Sequence, residues 1–349
     1  MKATARVMMV GTTEKSGGGV TSVIKLIKKM PVWNKYNIYW LGTQTQQNKL
    51  WRVWYAIRAA ALAPLLVWKF DIVHFHFVPG TCQIIQLPQL LCALLYHKKV
   101  IIEVHVGNQL NNNTNNKFFK WWLNKADLVL LLSRRWEILF HEKFDDIATP
   151  TDILYNACEL GPSVRPKEKC KLILMAGWLN DNKAPDLLIK AWAKLKNQYP
   201  DWHVMIIGNG EVERFKKMAD DLGLRDSIDF PGYLIGEDKE NIFRKSSIYC
   251  MCSYKEGFPM VVLESWAPSI AVVTTPVGGL PDVIQDGKNC LVFPFGDSNK
   301  LADCLEKLIN DDNYRRTLGV NGRKIVEESF SLNSVNVKLD SLYERILNK

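Results

Sequence analysis

Apolar residues in this chain gather into short, nearly unbroken runs, and between the runs lie longer stretches with helical periodicity. Continuous runs fit strands covered on both faces, and the alternation predicts parallel α/β units. The first series of predicted strands is Arg6–Gly11, Asn37–Leu41, Ile72–Phe77, Val100–Val106, Leu128–Ser133 and Ile153–Asn156. From Ala157 to Pro166 both periods break, and Gly161, Pro162 and Pro166 mark a linker. A second series follows: Lys171–Ala176, His203–Ile207, Ser227–Phe230, Ser247–Cys252, Ala271–Thr275 and Cys290–Val292. The fold expected is two Rossmann-like, doubly wound parallel-sheet domains facing across a cleft that holds the ligand. Their expected extents are 1–157 and 167–330, joined by a linker at 158–166, with a helical tail over 331–349.

Composition narrows the class. The chain has 349 residues, 47% hydrophobic and 23% charged, as in ordinary globular proteins with room for two domains. Its net charge of +9 and its 12 tryptophans suit a negatively charged partner: a nucleotide or an anionic membrane surface. No recognition motif supports nucleic acid. The eight cysteines are scattered without C-x-x-C or metal spacing, so reduced thiols and a cytoplasmic location are expected. Met1-Lys2-Ala3-Thr4 leads straight into the first strand, and no signal peptide is expected. The runs Ala59 to Trp68 and Ile84 to Tyr96 contain Pro64 and Pro88 and fall short of the ~20 residues a spanning helix needs. Attachment to a membrane surface stays open, crossing does not. Trp51–Arg58 and Lys117–Lys125 both mix aromatics with cations. Each reads equally as an interfacial helix or as an amphipathic helix with its rings in the core.

The densest chemistry lies in Ser253-Tyr254-Lys255-Glu256-Gly257-Phe258-Pro259-Met260-Val261-Val262-Leu263-Glu264. Pro259 is favoured at the first position of a helix running to Ala267, whose free N–H groups suit a phosphate. Glu256 then faces that helix start and Glu264 lies inside it. Two carboxylates beside a phosphate site suit hydroxyl-rich groups, such as two sugars.

This E-x7-E run, with Gly-Phe-Pro directly after its first glutamate, resembles the signature of the retaining glycosyltransferase family 4, the group 1 glycosyltransferases of GT-B fold. Bacterial polysaccharide and lipopolysaccharide enzymes of several sugars belong to it. The resemblance extends to Gly177-Trp178-Leu179-Asn180-Asp181-Asn182-Lys183, similar to the family's "G-R-L-x-x-x-K", to Gly208-Asn209-Gly210, to Phe230-Pro231-Gly232, and to Val277-Gly278-Gly279-Leu280-Pro281-Asp282. Asp71-Ile72-Val73-His74-Phe75-His76 resembles the family's "D-V-V-H-x-H" strand, and Gly18-Gly19 its glycine loop.

The resemblance implies a metal-independent hexosyltransferase that takes a UDP- or GDP-sugar and needs no cofactor. Its acceptor would be a lipid-linked or growing polysaccharide. Catalytic roles fall on His105, Lys183 and Glu256. Donor contacts fall on Gly18, Gly19, Gly208, Gly210, Gly257, Phe258, Pro259, Met260, Val261 and Glu264. The tail would cross back over the first domain, and the polar run from Asn108 would lie near the acceptor. No D-x-D pair ends a strand, and Asp145-Asp146, Asp220-Asp221 and Asp311-Asp312 read as solvated surface, so no metal is expected. One departure stands out: Trp178 occupies the arginine position and supplies no charge for the diphosphate. It leaves open a catalytically weakened, nucleotide-sugar-binding subunit. Another GT-B enzyme, such as a nucleotide-sugar epimerase, is a further alternative.

Overall fold

The computed structural model describes residues 5–45, 48–105, 110, 113–161 and 169–348. Met1–Thr4, Val106 to Asn108, part of the asparagine run and linker residues 162–166 lie outside the described residues.

The chain divides into two compact units, Met1–Ala157 with Ser331–Lys349, and Cys158–Phe330. Each is built on a six-stranded parallel sheet. The first contains β1 (Val7–Thr12), β2 (Tyr39–Gln44), β3 (Ile72–Phe77), β4 (Lys99–Val104), β5 (Leu128–Leu131) and β6 (Thr151–Ile153), in the order β2-β1-β3-β4-β5-β6. The second contains β7 (Leu172–Ala176), β8 (His203–Ile207), β9 (Ile228–Gly232), β10 (Ile248–Met251), β11 (Ala271–Thr274) and β12 (Leu291–Val292), in the order β12-β11-β10-β7-β8-β9.

Every predicted strand is present. The central ones, β1, β3, β5, β7 and β10, are buried almost end to end, as continuous apolar runs demand. Edges moved where the partner, not the local sequence, sets the length. β2 continues through polar Thr43 and Gln44 because it pairs with β1 from Met8↔Tyr39 to Thr12↔Gln44. Two cores result. Val7, Met9, Ile24, Ile72 and Ile101 anchor one; Ile173, Leu188, Trp192, Ile248 and Leu305 anchor the other.

The terminal helix Leu332–Leu347 belongs to the first unit. Ser331 caps it by accepting the Ser334 N–H at 3.1 Å. Val335, Leu339, Leu342, Tyr343 and Ile346 recur at helical spacing and enter the first core. Asp340 accepts from Lys35 Nζ at 2.6 Å and from the Tyr36 hydroxyl at 2.7 Å.

One apolar helix departs from expectation, and a second settles a reading that the sequence leaves open. The run Ala59–Trp68, expected to fall short of spanning length, lies in a longer helix, Lys49–Leu66, which passes through Pro64 and which a 3-10 turn extends to Lys69. The whole is 21 residues, long and apolar enough to cross a membrane by length and composition, with only 17% of its most apolar stretch buried. The apolar element is thus longer than the run Ala59–Trp68 suggests. Within the unit the helix joins β2 to β3, with Ala59 and Ala63 fully buried and Trp51, Trp54, Ile57 and Trp68 outward. The helix Lys117–Asn124 resolves the opposite way. Phe119 and Trp122 are fully buried, against Phe77 and Phe75 at ring distances of 5.9 and 5.4 Å.

Candidate functional site

In the second unit, the loops after β7, β8 and β10 are threaded so closely that glycine is required. A side chain on Gly208 (φ +144°) would put its Cβ 1.7 Å from the Gly177 carbonyl oxygen, and on Gly210 (φ +118°) 2.3 Å from that of Leu179. Gly177 N–H donates to the Ile207 carbonyl at 3.0 Å, and Leu179 N–H to that of Asn209. Gly278 (φ +62°) packs on the Glu256–Gly257 backbone, 2.5 Å from the Gly257 oxygen for a hypothetical Cβ. Gly279 N–H donates to that same oxygen at 2.8 Å.

Asn182 joins the β7 loop to the motif. Its side chain accepts the Lys255 N–H and donates to the Lys255 carbonyl, both at 3.0 Å, while its own carbonyl accepts the Tyr254 N–H at 2.7 Å. The next residue, Lys183, lays its alkyl stem over the bare face of Gly177, 3.3 Å from where a Cβ would stand. Lys183 Nζ forms an ion pair with the Glu256 carboxylate, both side chains more than four-fifths buried. So the structure brings Lys183 and Glu256 together.

After Glu256, buried Phe258 packs on Phe330 at 5.4 Å between ring centres. Pro259 stands outside the following helix, Met260–Trp266, as its cap rather than as its first residue. The reason is its extended backbone (ψ 103°). Met260 and Val261 begin the helix, half-buried. Glu264 lies within it and pairs with Lys239 Nζ at 2.8 Å, on the preceding helix Gly236–Lys245. Trp178 is 62% exposed.

In the first unit, Gly18 (φ +95°) caps the helix Gly19–Lys28, and nothing lies within 4 Å of a Cβ on Gly19. His105 follows β4, its N–H donating to the Phe77 carbonyl at 3.0 Å. Around it lies a buried group unforeseen from the sequence: Glu103, His74 and His76, with ligand-type atoms of those three within 4.8 Å of one another. Parallel pairing sets His76 opposite Glu103, which is why the cluster forms. Burial favours a protonated carboxyl on Glu103, but the imidazoles of His105, His76 and His74 outweigh it and hold its pKa down to about 2. Burial also lowers the pKa values of His76 and His105, against the pull of Glu103, so these rings stay neutral.

Sequence reasoning also missed Asn182, Lys239 and Gly278 as site-builders. Asn182 and Gly278 lay inside the motifs, but only their spatial partners reveal what they do. No local signal marks Lys239, one cation among several on its helix.

Residues 160–325 match the family model described as "Glycosyl transferases group 1". The D-inositol 3-phosphate glycosyltransferase of Corynebacterium jeikeium is 31% identical over 159 residues, 43% of this chain and 38% of that protein. A Campylobacter jejuni protein is 28% identical over 216 residues, 60% of this chain and 58% of that one. Its name is GalNAc-alpha-(1->4)-GalNAc-alpha-(1->3)-diNAcBac-PP-undecaprenol alpha-1,4-N-acetyl-D-galactosaminyltransferase. The chain thus spans less than two thirds of the length of either relative. Among solved structures, Anabaena HepE in complex with UDP shares the fold at a TM-score of 0.76 and 16% identity, covering 97% of this chain and all of that one. HepE has also been solved with UDP-glucose.

Proposed function

We propose, for a chain whose residues 160–325 match the family model of the group 1 glycosyl transferases, that it moves a hexose-type sugar from a UDP- or GDP-sugar to a lipid-linked or growing polysaccharide acceptor. The observation that carries this reading is the Lys183–Glu256 pair, fixed by Asn182 on one side and Gly278 on the other. An entering donor exchanges that pair for better partners: its diphosphate takes the ammonium and its sugar hydroxyls take the carboxylate. Lys183 then opposes the charge that grows on the leaving diphosphate as the glycosidic bond stretches, with configuration retained and no metal ion. Glu264, steadied by Lys239, takes the ribose hydroxyls. Gly208, Gly210 and Gly257 to Val261 line the donor. Gly18, Gly19 and His105 are further candidates for donor contact.

Support for a UDP-sugar comes from the HepE complexes, and for a lipid-linked acceptor from the PP-undecaprenol saccharide in the Campylobacter relative's name. Such an acceptor belongs to cell-surface polysaccharide synthesis at the inner face of the cytoplasmic membrane. The outward tryptophans of Lys49–Leu66, among Lys49, Arg52, Arg58 and Lys69, suit peripheral attachment to anionic lipid.

A panel of nucleotide sugars, read by released nucleotide, tests the reading. One donor is expected to turn over in an acceptor-dependent manner, and Glu256→Ala to abolish it. Equal turnover by wild type and Glu256→Ala sinks the role of Glu256. Trp178 favours a second reading, a subunit that binds nucleotide sugar without transfer, because it leaves one cation fewer at the diphosphate. Calorimetric UDP or GDP binding with no turnover on any donor selects it.

A further inference from the structure

The buried group around His105 has an internal order that fixes where protons sit. The Tyr343 hydroxyl lies 2.9 Å from His74 Nδ1. On the other side of that ring, His74 Nε2 is 3.2 Å from Glu103 Oε2. The second carboxylate oxygen, Oε1, is 3.3 Å from His105 Nε2. His76 Nδ1 meets His105 Nε2 at 2.9 Å and stands 3.6 Å from Glu103 Oε2. The His76 and His105 rings are 20° from coplanar with centres 5.1 Å apart, so they meet edge to edge, with the contact in both ring planes. All these side chains are buried, His105 least at 6% exposure.

We propose that Glu103 is a positioning residue that holds His105 in the Nε2–H tautomer, leaving the lone pair on Nδ1. One proton must lie between His76 Nδ1 and His105 Nε2. On His76 it would leave a bare lone pair of His105 facing the carboxylate at 3.3 Å; on His105 it leaves that of His76 at 3.6 Å, the weaker repulsion. The proton therefore sits on His105 Nε2, shared between His76 Nδ1 and Glu103 Oε1. His74 accepts from Tyr343 at Nδ1, which ties the terminal helix to the cluster and leaves its Nε2–H facing Glu103 Oε2 at 3.2 Å, outside hydrogen-bond geometry. A metal ion on His74, His76 and Glu103 is the competing occupant; the 2.9 Å contact commits His76 Nδ1 to His105, so such an ion would have to take His76 through Nε2.

Resting on the proposed transfer reaction, this assignment gives His105 a specific chemistry. Nδ1 accepts from a sugar hydroxyl and has no proton to offer a phosphate.

Long-range proton–nitrogen NMR on the full, ligand-free chain tests it, with six histidines to assign and His105→Asn identifying the signal. The expected spectrum shows His105 protonated at Nε2 at neutral pH. In Glu103→Gln the tautomers are expected to mix and the His105 titration midpoint to fall by about one pH unit. Tyr343→Phe is expected to disturb His74 first. His105 protonated at Nδ1 in the wild type overturns the proposal, with His105→Asn needed only to assign the signal. So does an unchanged His105 in folded Glu103→Gln, or stoichiometric zinc that Glu103→Gln loses. None of these readings involves nucleotide sugar, so a failed transfer assay leaves them standing.

Discussion

Lys183 and Glu256 meet across 73 positions of the chain. If Lys183 opposes charge on the leaving diphosphate, Lys183→Ala is expected to lower kcat/KM roughly 10²–10³-fold, as loss of one preorganised electrostatic group does. Steady-state kinetics on the active donor check this. Gly208 carries a different kind of constraint. Gly208→Ala drives a methyl group into the Gly177 carbonyl from a left-handed backbone, and a destabilisation above about 2 kcal/mol is expected in denaturant titration. The buried cluster adds a pH dependence. His76 and His105 titrate below their ordinary 6.5 and Glu103 below its ordinary 4.5, so the unfolded chain binds more protons in each case. Stability is therefore expected to fall as pH drops from about 6.5 toward 2, with Glu103 contributing only below about 4.5. Denaturation midpoints against pH measure it; a flat profile between pH 7 and 4 contradicts the buried neutral rings.

At the scale of elements, two similar sequence patterns reached opposite ends. Trp51–Arg58 and Lys117–Lys125 both interleave rings with cations. Lys117–Asn124 turns its rings into the core, because β3 presents Phe75 and Phe77 directly opposite. Lys49–Leu66 buries the alanines Ala59 and Ala63 instead, and its tryptophans stay outside. Periodicity cannot separate these outcomes, since it reports an apolar face and not what the face meets. Replacing Trp51 and Trp54 with Ser is expected to weaken flotation with anionic vesicles at least tenfold, since each exposed ring buries substantial apolar area in a bilayer interface. The melting temperature should stay within a few degrees, as neither ring is in the core.

At the scale of the whole chain, the terminal helix is the element most distant in sequence from what it stabilises. Five of its side chains enter the first core, and Tyr343 reaches His74 across 269 positions. Ending the chain at Phe330 is expected to cost the first unit more than about 5 kcal/mol, from the apolar burial lost. Limited proteolysis should then degrade Met1–Ala157 first and spare Cys158–Phe330. Equal protease resistance of both units would contradict that dependence. The sequence by itself determined where the strands lie, because burial on both faces writes a continuous apolar run whatever the neighbours are. It also determined which loops need glycine. Tertiary structure alone decided which charges meet: Lys183 with Glu256, Lys239 with Glu264, and three histidines with Glu103. Such pairings depend on strand order and register, which bring together residues that no local pattern connects.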